Sequence, residues 1–280
     1  MAGTPVKHHR VETTPPHGDV IRADIRLPSR SDPDTAVVVA HGFKGFKDWG
    51  FLPHLCESLA RDGHMVVSFN FSLNGTGPGL VDFTNLDAFG RNTLSRELDD
   101  LRWMADRTLA GEWSGGRPPA ALGLLGHSRG GGGAIVTAAE HPGVSALVTW
   151  AAVSTFRRWG EEHVRDWKTR GVTYVDNART GQRMPLYRDL WDDLRENAAR
   201  LDVVAAAARV QVPWLVVHGE EDATVPVGEA RRLAGAGPYA RLQVVAGSGH
   251  TFEAVHPLAG TTPGLEAAVE ATLHHYRGTL

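Results

Sequence analysis

Short apolar segments alternate with longer amphipathic ones along most of the 280-residue chain, and this alternation limits the possible folds more than any other feature. Strands that are apolar on both faces are typical of parallel sheets covered by helices on each side. The apolar runs are Ala36–Ala40, Met65–Phe69, Ala121–Leu125, Ala146–Trp150, Trp214–Val217 and Leu242–Val245. The helical segments between them are Trp49–Asp62, Arg91–Leu109, Gly131–Glu140, Val227–Leu233 and Pro263–Tyr276. The pattern predicts an α/β fold with a mostly parallel central sheet and helices on both faces.

Two segments depart from this alternation. Residues 6–27 alternate apolar and polar side chains, which indicates an antiparallel hairpin at an edge of the sheet. Residues 154–209 contain no apolar strand of the core type. An insertion of this length between two core strands usually covers a site. We therefore predict a core formed by residues 1–153 and 210–280, with residues 154–209 inserted as a cap.

The predicted cap has its own pattern of elements and is rich in aromatic residues. Its segments indicate a helix, a hairpin and two further helices, at Phe156–Arg170, near Asn177–Gly181, and at Tyr187–Arg200 and Val203–Ala208. We expect its large aromatic side chains to line a substrate pocket, and they are Trp159, Trp167, Tyr174 and Trp191. The alternative is that the tryptophans form the small core of the cap itself.

Residues Gly126–Gly130 read Gly-His-Ser-Arg-Gly, between an apolar strand and a glycine-rich helix. A serine on a sharp strand-to-helix turn has its hydroxyl pushed clear of the backbone, and small neighbours allow the turn to close. This setting predicts that Ser128 is a nucleophile. The pentapeptide alone is a weak signal in a chain with 32 glycines, because a glycine-rich turn would look the same.

A serine nucleophile needs a base and an acid that orients the base, and both follow later strands. Asp222 lies in the loop after the Trp214 strand, and His250 lies after the next one. The chain order Ser, Asp, His is that of the α/β-hydrolase arrangement. The neighbouring carboxylates Glu220 and Glu221 are alternatives for the acid.

An oxyanion hole requires two backbone N–H donors close to the nucleophile. One donor is expected from Arg129, directly after Ser128. The other is expected from Phe43 in the His41-Gly42-Phe43 segment that follows the first core strand. The Arg129 side chain could contact an anionic substrate group or form a salt bridge, whereas Lys44 and Lys47 are expected to be surface charges.

Four motifs together resemble an α/β-hydrolase-fold serine hydrolase: His41-Gly42-Phe43, Gly126–Gly130, the His-Gly-x-x-Asp-x-x-Val-Pro stretch 218–226, and Gly-Ser-Gly-His at 247–250. Within that superfamily the chain is most similar to small bacterial carboxylesterases of the cinnamoyl/feruloyl-esterase kind. The resemblance selects Asp222 as the acid of the triad. A departure is the run Gly130–Gly133, which is longer than the usual pair of glycines.

The resemblance implies a serine carboxylesterase with the triad Ser128, Asp222 and His250, acting on a small-molecule ester without a metal or organic cofactor. A thioesterase, a serine peptidase or a C–C bond hydrolase would carry the same triad. A non-catalytic hydrolase-fold protein that binds a ligand in the same pocket is a further alternative. The acyl and alcohol specificity depends on the cap, because cap loops vary without changing the triad.

The overall charge and composition favour an ordinary globular protein. A net charge of −3 gives no reason to expect nucleic acid or an anionic membrane as a partner. The single cysteine, Cys56, excludes an internal disulfide and a cysteine-based zinc site. The first ten residues lack the apolar core of a signal peptide, so a cytoplasmic location is expected. The pattern does not determine the oligomeric state.

Overall fold

The computed structural model describes residues 5–29, 33–77, 79 and 81–280, and strands and helices alternate along them. The strands are β1 (Val6–Thr13), β2 (Ile21–Pro28), β3 (Thr35–Ala40), β4 (Met65–Asn70), β5 (Ala121–His127), β6 (Ala146–Trp150), β7 (Val172–Asn177), β8 (Gln182–Tyr187), β9 (Trp214–Gly219) and β10 (Ala240–Val245). The helices are α1 (Leu52–Arg61), α2 (Leu86–Arg91), α3 (Leu94–Leu109), α4 (Arg129–Glu140), α5 (Glu161–Arg170), α6 (Arg188–Glu196), α7 (Val203–Ala207), α8 (Val227–Ala236) and α9 (Pro263–Arg277).

Within the described ranges, eight strands form one sheet in the order β1-β2-β4-β3-β5-β6-β9-β10. Strands β4, β3, β5, β6, β9 and β10 are parallel to one another, while β1 and β2 run antiparallel to their neighbours. The prediction of a mostly parallel sheet with an antiparallel hairpin at its edge is therefore confirmed. The parallel strands all end at one edge of the sheet, where the loops after β3, β5, β9 and β10 meet.

Both faces of the sheet are covered, which explains why its strands are apolar without alternation. Val37 and Val39 of β3 face a cluster that contains the buried leucines of α1 and residues of α9. Ala36 and Val38 face the opposite cluster, which contains leucines of α3 and Ala134 of α4. Because successive side chains of a strand point to opposite faces, each strand contributes to both layers of the core.

Two helix boundaries differ from the sequence prediction for local reasons. Helix α3 begins at Leu94 rather than Arg91, because the Thr93 side chain accepts a hydrogen bond from the N–H of Arg96 and caps the helix there. A separate short helix, α2, precedes it. Helix α5 begins at Glu161 rather than Phe156. The residues from Phe156 to Gly160 are not helical.

The segment between β6 and β9 contains α5, the antiparallel hairpin of β7 and β8, α6 and α7. Trp167 of α5 is fully buried, and its indole N–H donates a 2.8 Å hydrogen bond to the carbonyl of Leu186 in β8. Trp191 of α6 stacks on Trp167 with ring centroids 5.8 Å apart. These contacts give the inserted segment a small aromatic core of its own.

Lys47 is not the surface charge that the sequence suggested. Its side chain is fully buried, and its Nζ lies 2.7 Å from Asp24 Oδ2 in β2 and 2.6 Å from Asp48 Oδ2. The Asn70 side chain accepts the Lys47 N–H at 2.7 Å. A lysine can be buried only when its charge is compensated, and the carboxylate on β2 provides that compensation.

No helix in the described part of the chain combines the length and the apolar character needed to cross a membrane.

Candidate active site

Ser128 occupies the turn between β5 and α4 in a backbone conformation that is rare for a residue with a side chain. Its φ is 56° and its ψ is −119°. The surrounding backbone holds this strained turn: the Ser128 N–H donates to Trp150 O at 2.9 Å, and its carbonyl accepts from Val153 and Gly132 N–H at 3.2 Å. Strain at a single residue persists only where the structure around it enforces it, and such positions cluster at functional sites.

The glycines on each side of Ser128 are required by close backbone contacts. A Cβ on Gly126 would lie 2.3 Å from the carbonyl oxygen of Gly130. A Cβ on Gly130 would lie 2.3 Å from the carbonyl oxygen of His41, in the loop after β3. Both distances are far below contact distance, so the turn and the neighbouring loop can approach each other only with glycine at these positions.

His250 lies within hydrogen-bond distance of both Ser128 and Asp222. Its Nε2 is 3.1 Å from Ser128 Oγ, and its Nδ1 is 2.7 Å from Asp222 Oδ2. A carboxylate can only accept, so Nδ1 carries the proton and Nε2 is free to accept the serine proton. The loops after β5, β9 and β10 supply the three side chains, as their common edge of the sheet requires.

The Asp222 carboxylate is buried and accepts hydrogen bonds from three donors. Oδ1 accepts the N–H groups of Thr224 and Val225, each at 2.8 Å. The His218 Nε2–H donates to the carbonyl of Val225 at 2.7 Å, and this nitrogen lies 3.3 Å from Oδ2, beside the bond from His250. Burial alone would raise the pKa of Asp222, but the nearby His218 ring and the hydrogen bonds from His250 and Val225 lower it well below its usual range. The carboxylate is therefore ionised at neutral pH.

The two carboxylates that were alternatives for the acid, and the nearby His256, lie outside this arrangement. Glu220 and Glu221 are exposed to solvent. His256 accepts the N–H of Gly50 at 3.0 Å and stacks on Trp49. His218, which supports Asp222, was not predicted to take part in the site, because its role depends on a contact across the loop after β9.

The expected oxyanion-hole residues, Phe43 and Arg129, both line a cavity with Ser128. Arg129 is the first residue of α4, where an N–H has no acceptor within the helix. Among the described residues, the Phe43 N–H also has no hydrogen-bond acceptor. The two side chains contact each other, with the guanidinium of Arg129 4.2 Å from the centroid of the Phe43 ring. Two free donors thus belong to loops that pack together beside the serine.

The Arg129 side chain is neutralised rather than free. Its guanidinium lies 2.5 Å from the buried carboxylate of Glu97 in α3, and Asn92 donates to the same carboxylate at 2.7 Å. The sequence left open whether this side chain contacts an anionic substrate group or forms a salt bridge, and the structure shows the salt bridge.

Two buried histidines next to the site are neutral. Burial lowers the pKa of His41 to about 4 and that of His127 to about 3. The His41 Nδ1–H donates to the carbonyl of Gly42 at 2.9 Å, and His127 Nε2–H donates to the carbonyl of His250 at 3.1 Å. Each ring therefore fixes a loop of the site without adding charge.

Two cavities adjoin Ser128, and four residues line both of them: Phe43, Lys44, Ser128 and His250. The larger, of about 410 Å³, has walls formed mainly by apolar side chains, which include Leu94, Val153, Phe156, Trp159 and Val225. The smaller, of about 240 Å³, is bounded by His41, His127, Trp49, Leu52 and the cap hairpin turn 177–179. A group bonded to Ser128 can extend into either space.

Of the four cap aromatics expected at the pocket, the structure brings only Trp159 to it. Trp167 and Trp191 stack within the core of the cap, and Tyr174 is 40% exposed, with the Arg183 guanidinium 4.5 Å from its ring centroid. The expectation for these three side chains is therefore corrected. Phe156 was missed because the sequence pattern placed it in a helix.

Among the residues that the structure describes, no group of three or more His, Cys, Asp or Glu side chains is arranged to hold a metal ion.

Comparisons with known proteins identify relatives at the level of fold and family. No curated protein matches the chain. The esterase domain of a Rhodothermus marinus protein superposes with a TM-score of 0.68 at 21% identity, over 98% of this chain and 99% of that one. Est1E from Butyrivibrio proteoclasticus with bound ferulic acid gives 0.68 at 19% identity, over 93% and 97%. The dienelactone hydrolase of Anabaena variabilis ATCC 29413 gives 0.65 at 16%, over 98% and 99%.

These structures share the fold with the chain over nearly its whole length, while their low identities carry no assignment of substrate. The model of the alpha/beta hydrolase family matches residues 37–261, which include all the loops that meet at Ser128. The match spans well over half of the sequence, and we conclude that the chain belongs to the alpha/beta hydrolase family.

Proposed function

We propose that the protein is a serine carboxylesterase that cleaves small-molecule esters through an acyl-enzyme intermediate. The observation that carries the proposal is the continuous hydrogen-bond chain from Ser128 through His250 to the ionised Asp222, placed where two cavities meet. A serine hydroxyl is a weak nucleophile near neutral pH, and this arrangement supplies the base that it needs.

In the first half of the reaction, Ser128 Oγ forms a bond to the ester carbonyl carbon while His250 Nε2 takes the hydroxyl proton. The carbonyl oxygen becomes negative and accepts hydrogen bonds from the N–H groups of Phe43 and Arg129. Asp222 stabilises the imidazolium that forms. When the tetrahedral intermediate collapses, the bond to the alcohol oxygen breaks and His250 gives its proton to that oxygen.

In the second half, a water molecule takes the place of the alcohol. His250 accepts one proton from this water as its oxygen attacks the acyl carbon, and the same two N–H groups hold the second oxyanion. Collapse releases the carboxylic acid, and the proton returns from His250 to Ser128 Oγ. The cycle restores every group to its starting state.

The shape of the larger cavity favours a bulky or aromatic substituent on the ester. The rings of Phe43, Phe156 and Trp159 form part of its wall, and Trp159 stands edge-on to Phe43 with ring centroids 5.8 Å apart. Aromatic rings are well accommodated by such edge and face contacts. The structural similarity to a hydrolase that binds ferulic acid agrees with this choice. We extend the proposal to esters of aromatic acids of the cinnamoyl type.

Two measurements test the proposal. A fluorophosphonate probe should label the wild-type protein at Ser128 and leave Ser128→Ala unlabelled. Hydrolysis of 4-nitrophenyl acetate should fall by a factor of about 10⁴ or more in Ser128→Ala, since the members of a triad act as a unit. An unlabelled wild-type protein, or full hydrolysis by Ser128→Ala, would refute the mechanism.

The acyl preference is tested separately with a panel of acetyl, butyryl, octanoyl and feruloyl esters. We expect the highest kcat/KM for the feruloyl ester. A preference for short linear acyl chains with no turnover of the feruloyl ester would remove the aromatic assignment and leave the esterase mechanism intact.

A further inference from the structure

The charges around the smaller cavity are unbalanced. Its lining includes two cationic side chains, Lys44 from the loop after β3 and Arg179 from the cap hairpin turn. Of the described residues that line it, none carries a carboxylate.

Both cations are held by backbone carbonyls and aromatic rings. Lys44 Nζ donates to the carbonyl of Asp176 at 2.8 Å. The Arg179 guanidinium donates to the carbonyl of Val81 at 2.8 Å and lies 5.2 Å from the ring centroid of Phe46. These contacts orient the two side chains without neutralising their charge.

The larger cavity provides the contrast. Its two arginines each form an ion pair with a glutamate: Arg129 with Glu97 at 2.5 Å, and Arg158 with Glu229 at 2.6 Å. Neither Lys44 nor Arg179 has a carboxylate within ion-pair distance among the described residues. The exposed Asp176 carboxylate raises the pKa of Lys44, although burial of the amine has the larger effect and lowers it. The smaller cavity therefore has two cations without a carboxylate, whereas the larger one has Lys44, which lines both cavities, as its single unpaired cation among the described residues.

The floor of the smaller cavity adds neither a positive nor a negative charge, because His41 and His127 are neutral at physiological pH. An anionic group that enters this space meets two cations and no like charge. A neutral group in this space would leave both cations without a counter-charge, and the larger cavity, whose walls are mainly apolar, can hold the apolar part of the ester.

We propose that the smaller cavity is a subsite for a carboxylate carried by the substrate, which Lys44 and Arg179 bind while the apolar part of the ester occupies the larger cavity. This inference rests on the proposed esterase function and extends it to the substrate class. The preferred substrates are esters that carry one negative charge close to the scissile bond.

The test compares matched charged and neutral esters, with the charge on either side of the scissile bond. Mono-4-nitrophenyl glutarate is paired with 4-nitrophenyl 5-methylhexanoate, and 4-carboxyphenyl acetate is paired with 4-acetylphenyl acetate. In at least one pair, Lys44→Met and Arg179→Met should each lower kcat/KM about tenfold for the charged ester, as expected for the loss of a charge-assisted hydrogen bond. Each variant should therefore lower the ratio of kcat/KM for the charged ester to that for its neutral partner by about fivefold or more, whatever its effect on the neutral ester.

Arg183→Met is the matched control, because Arg183 lies on the same cap hairpin, is exposed and does not line either cavity. We expect it to leave both members of each pair unchanged. Lys44→Arg keeps the positive charge, so we expect it to retain most of the wild-type preference for the charged ester. A merely structural role of Lys44 would not predict this result.

A measurement on the wild-type protein covers the case in which a variant fails to fold. Raising NaCl from about 50 mM to about 500 mM should increase KM for the charged ester of the responsive pair and leave KM for its neutral partner constant. The inference is overturned if neutral esters are hydrolysed but neither variant nor salt distinguishes the members of either pair. Absence of all Ser128-dependent hydrolysis would instead refute the proposed function.

Discussion

The four consecutive glycines of α4, Gly130–Gly133, differ in how much space surrounds them, and this difference predicts the effect of adding a methyl group. A Cβ on Gly133 would lie 3.8 Å from the nearest atom outside its own stretch of helix, Leu98 Cδ2, which is ordinary van der Waals contact. Alanine is favoured over glycine inside a helix by about 0.5–1 kcal/mol. Gly133→Ala should therefore raise the free energy of unfolding by about that amount, and the melting temperature by about 1–4 °C.

Gly131→Ala is the matched control in the same helix. Its Cβ would lie 2.7 Å from Ala152 Cβ and 3.0 Å from the carbonyl oxygen of Gly126. Neither atom is the end of a flexible side chain, so the backbone of the turn must shift. Overpacking of this kind costs about 1–3 kcal/mol, which exceeds the gain in helix propensity. The melting temperature of this variant should fall.

The assay is thermal and urea denaturation of the two variants beside the wild type, followed by circular dichroism. The reasoning requires opposite signs at two positions that are two residues apart. It would be refuted if Gly133→Ala lowered the stability, or if Gly131→Ala were as stable as the wild type. Either result would mean that the contacts of the added methyl group differ from those expected here, while the helix preference for alanine over glycine would stand.

Three further predictions concern the charged and titratable groups. Asp222→Asn should lower kcat for 4-nitrophenyl acetate about 10⁴-fold, because no carboxylate then keeps the proton of His250 on Nδ1 and leaves Nε2 free to act as the base. The melting curve should keep its shape, and a near-normal kcat would contradict the prediction. Lys47→Met should cost about 1.5–3 kcal/mol, because the buried Asp24 loses its closest cation while His8, Arg10 and Arg26 stay within 3.6 Å, and adding Asp24→Asn should recover part of that loss in urea denaturation. The pKa of His127 is lowered by burial to about 3, so the unfolded chain binds a proton that the folded chain excludes, and stability falls as the pH drops below about 6.5. His127→Gln should remove about 2 kcal/mol of the loss between pH 7 and pH 5; an unchanged pH dependence would show that His127 becomes protonated in the fold.

Much of the architecture was predictable because it depends on local pattern. The apolar runs became strands of one parallel sheet, and residues 6–28 became the antiparallel pair at its edge. The ends of α3 and α5 were not predictable from periodicity. A side-chain cap at Thr93 decides the first of them, and the second depends on how the chain enters the cap.

The site divides in the same way. The order of Ser128, Asp222 and His250, each in the segment that follows a strand, follows from the sequence, because parallel strands that end at one edge of a sheet bring their following loops together. Which carboxylate of the run 220–222 faces inward depends on loop geometry: the N–H groups of Thr224 and Val225 hold Asp222, while its two neighbours face solvent.

Properties that depend on distant partners were decided by the tertiary structure alone. Lys44 and Lys47 are three residues apart and look alike in the sequence, yet Lys47 is buried against a carboxylate on β2 and Lys44 lines the cavities beside Ser128. Trp159 and Trp167 differ in the same way, since one lines the larger cavity and the other is enclosed in the cap. Local sequence determines where a strand, a turn or a helix forms. The environment of a side chain is set by whichever segment packs against it, and here those segments lie far away along the chain.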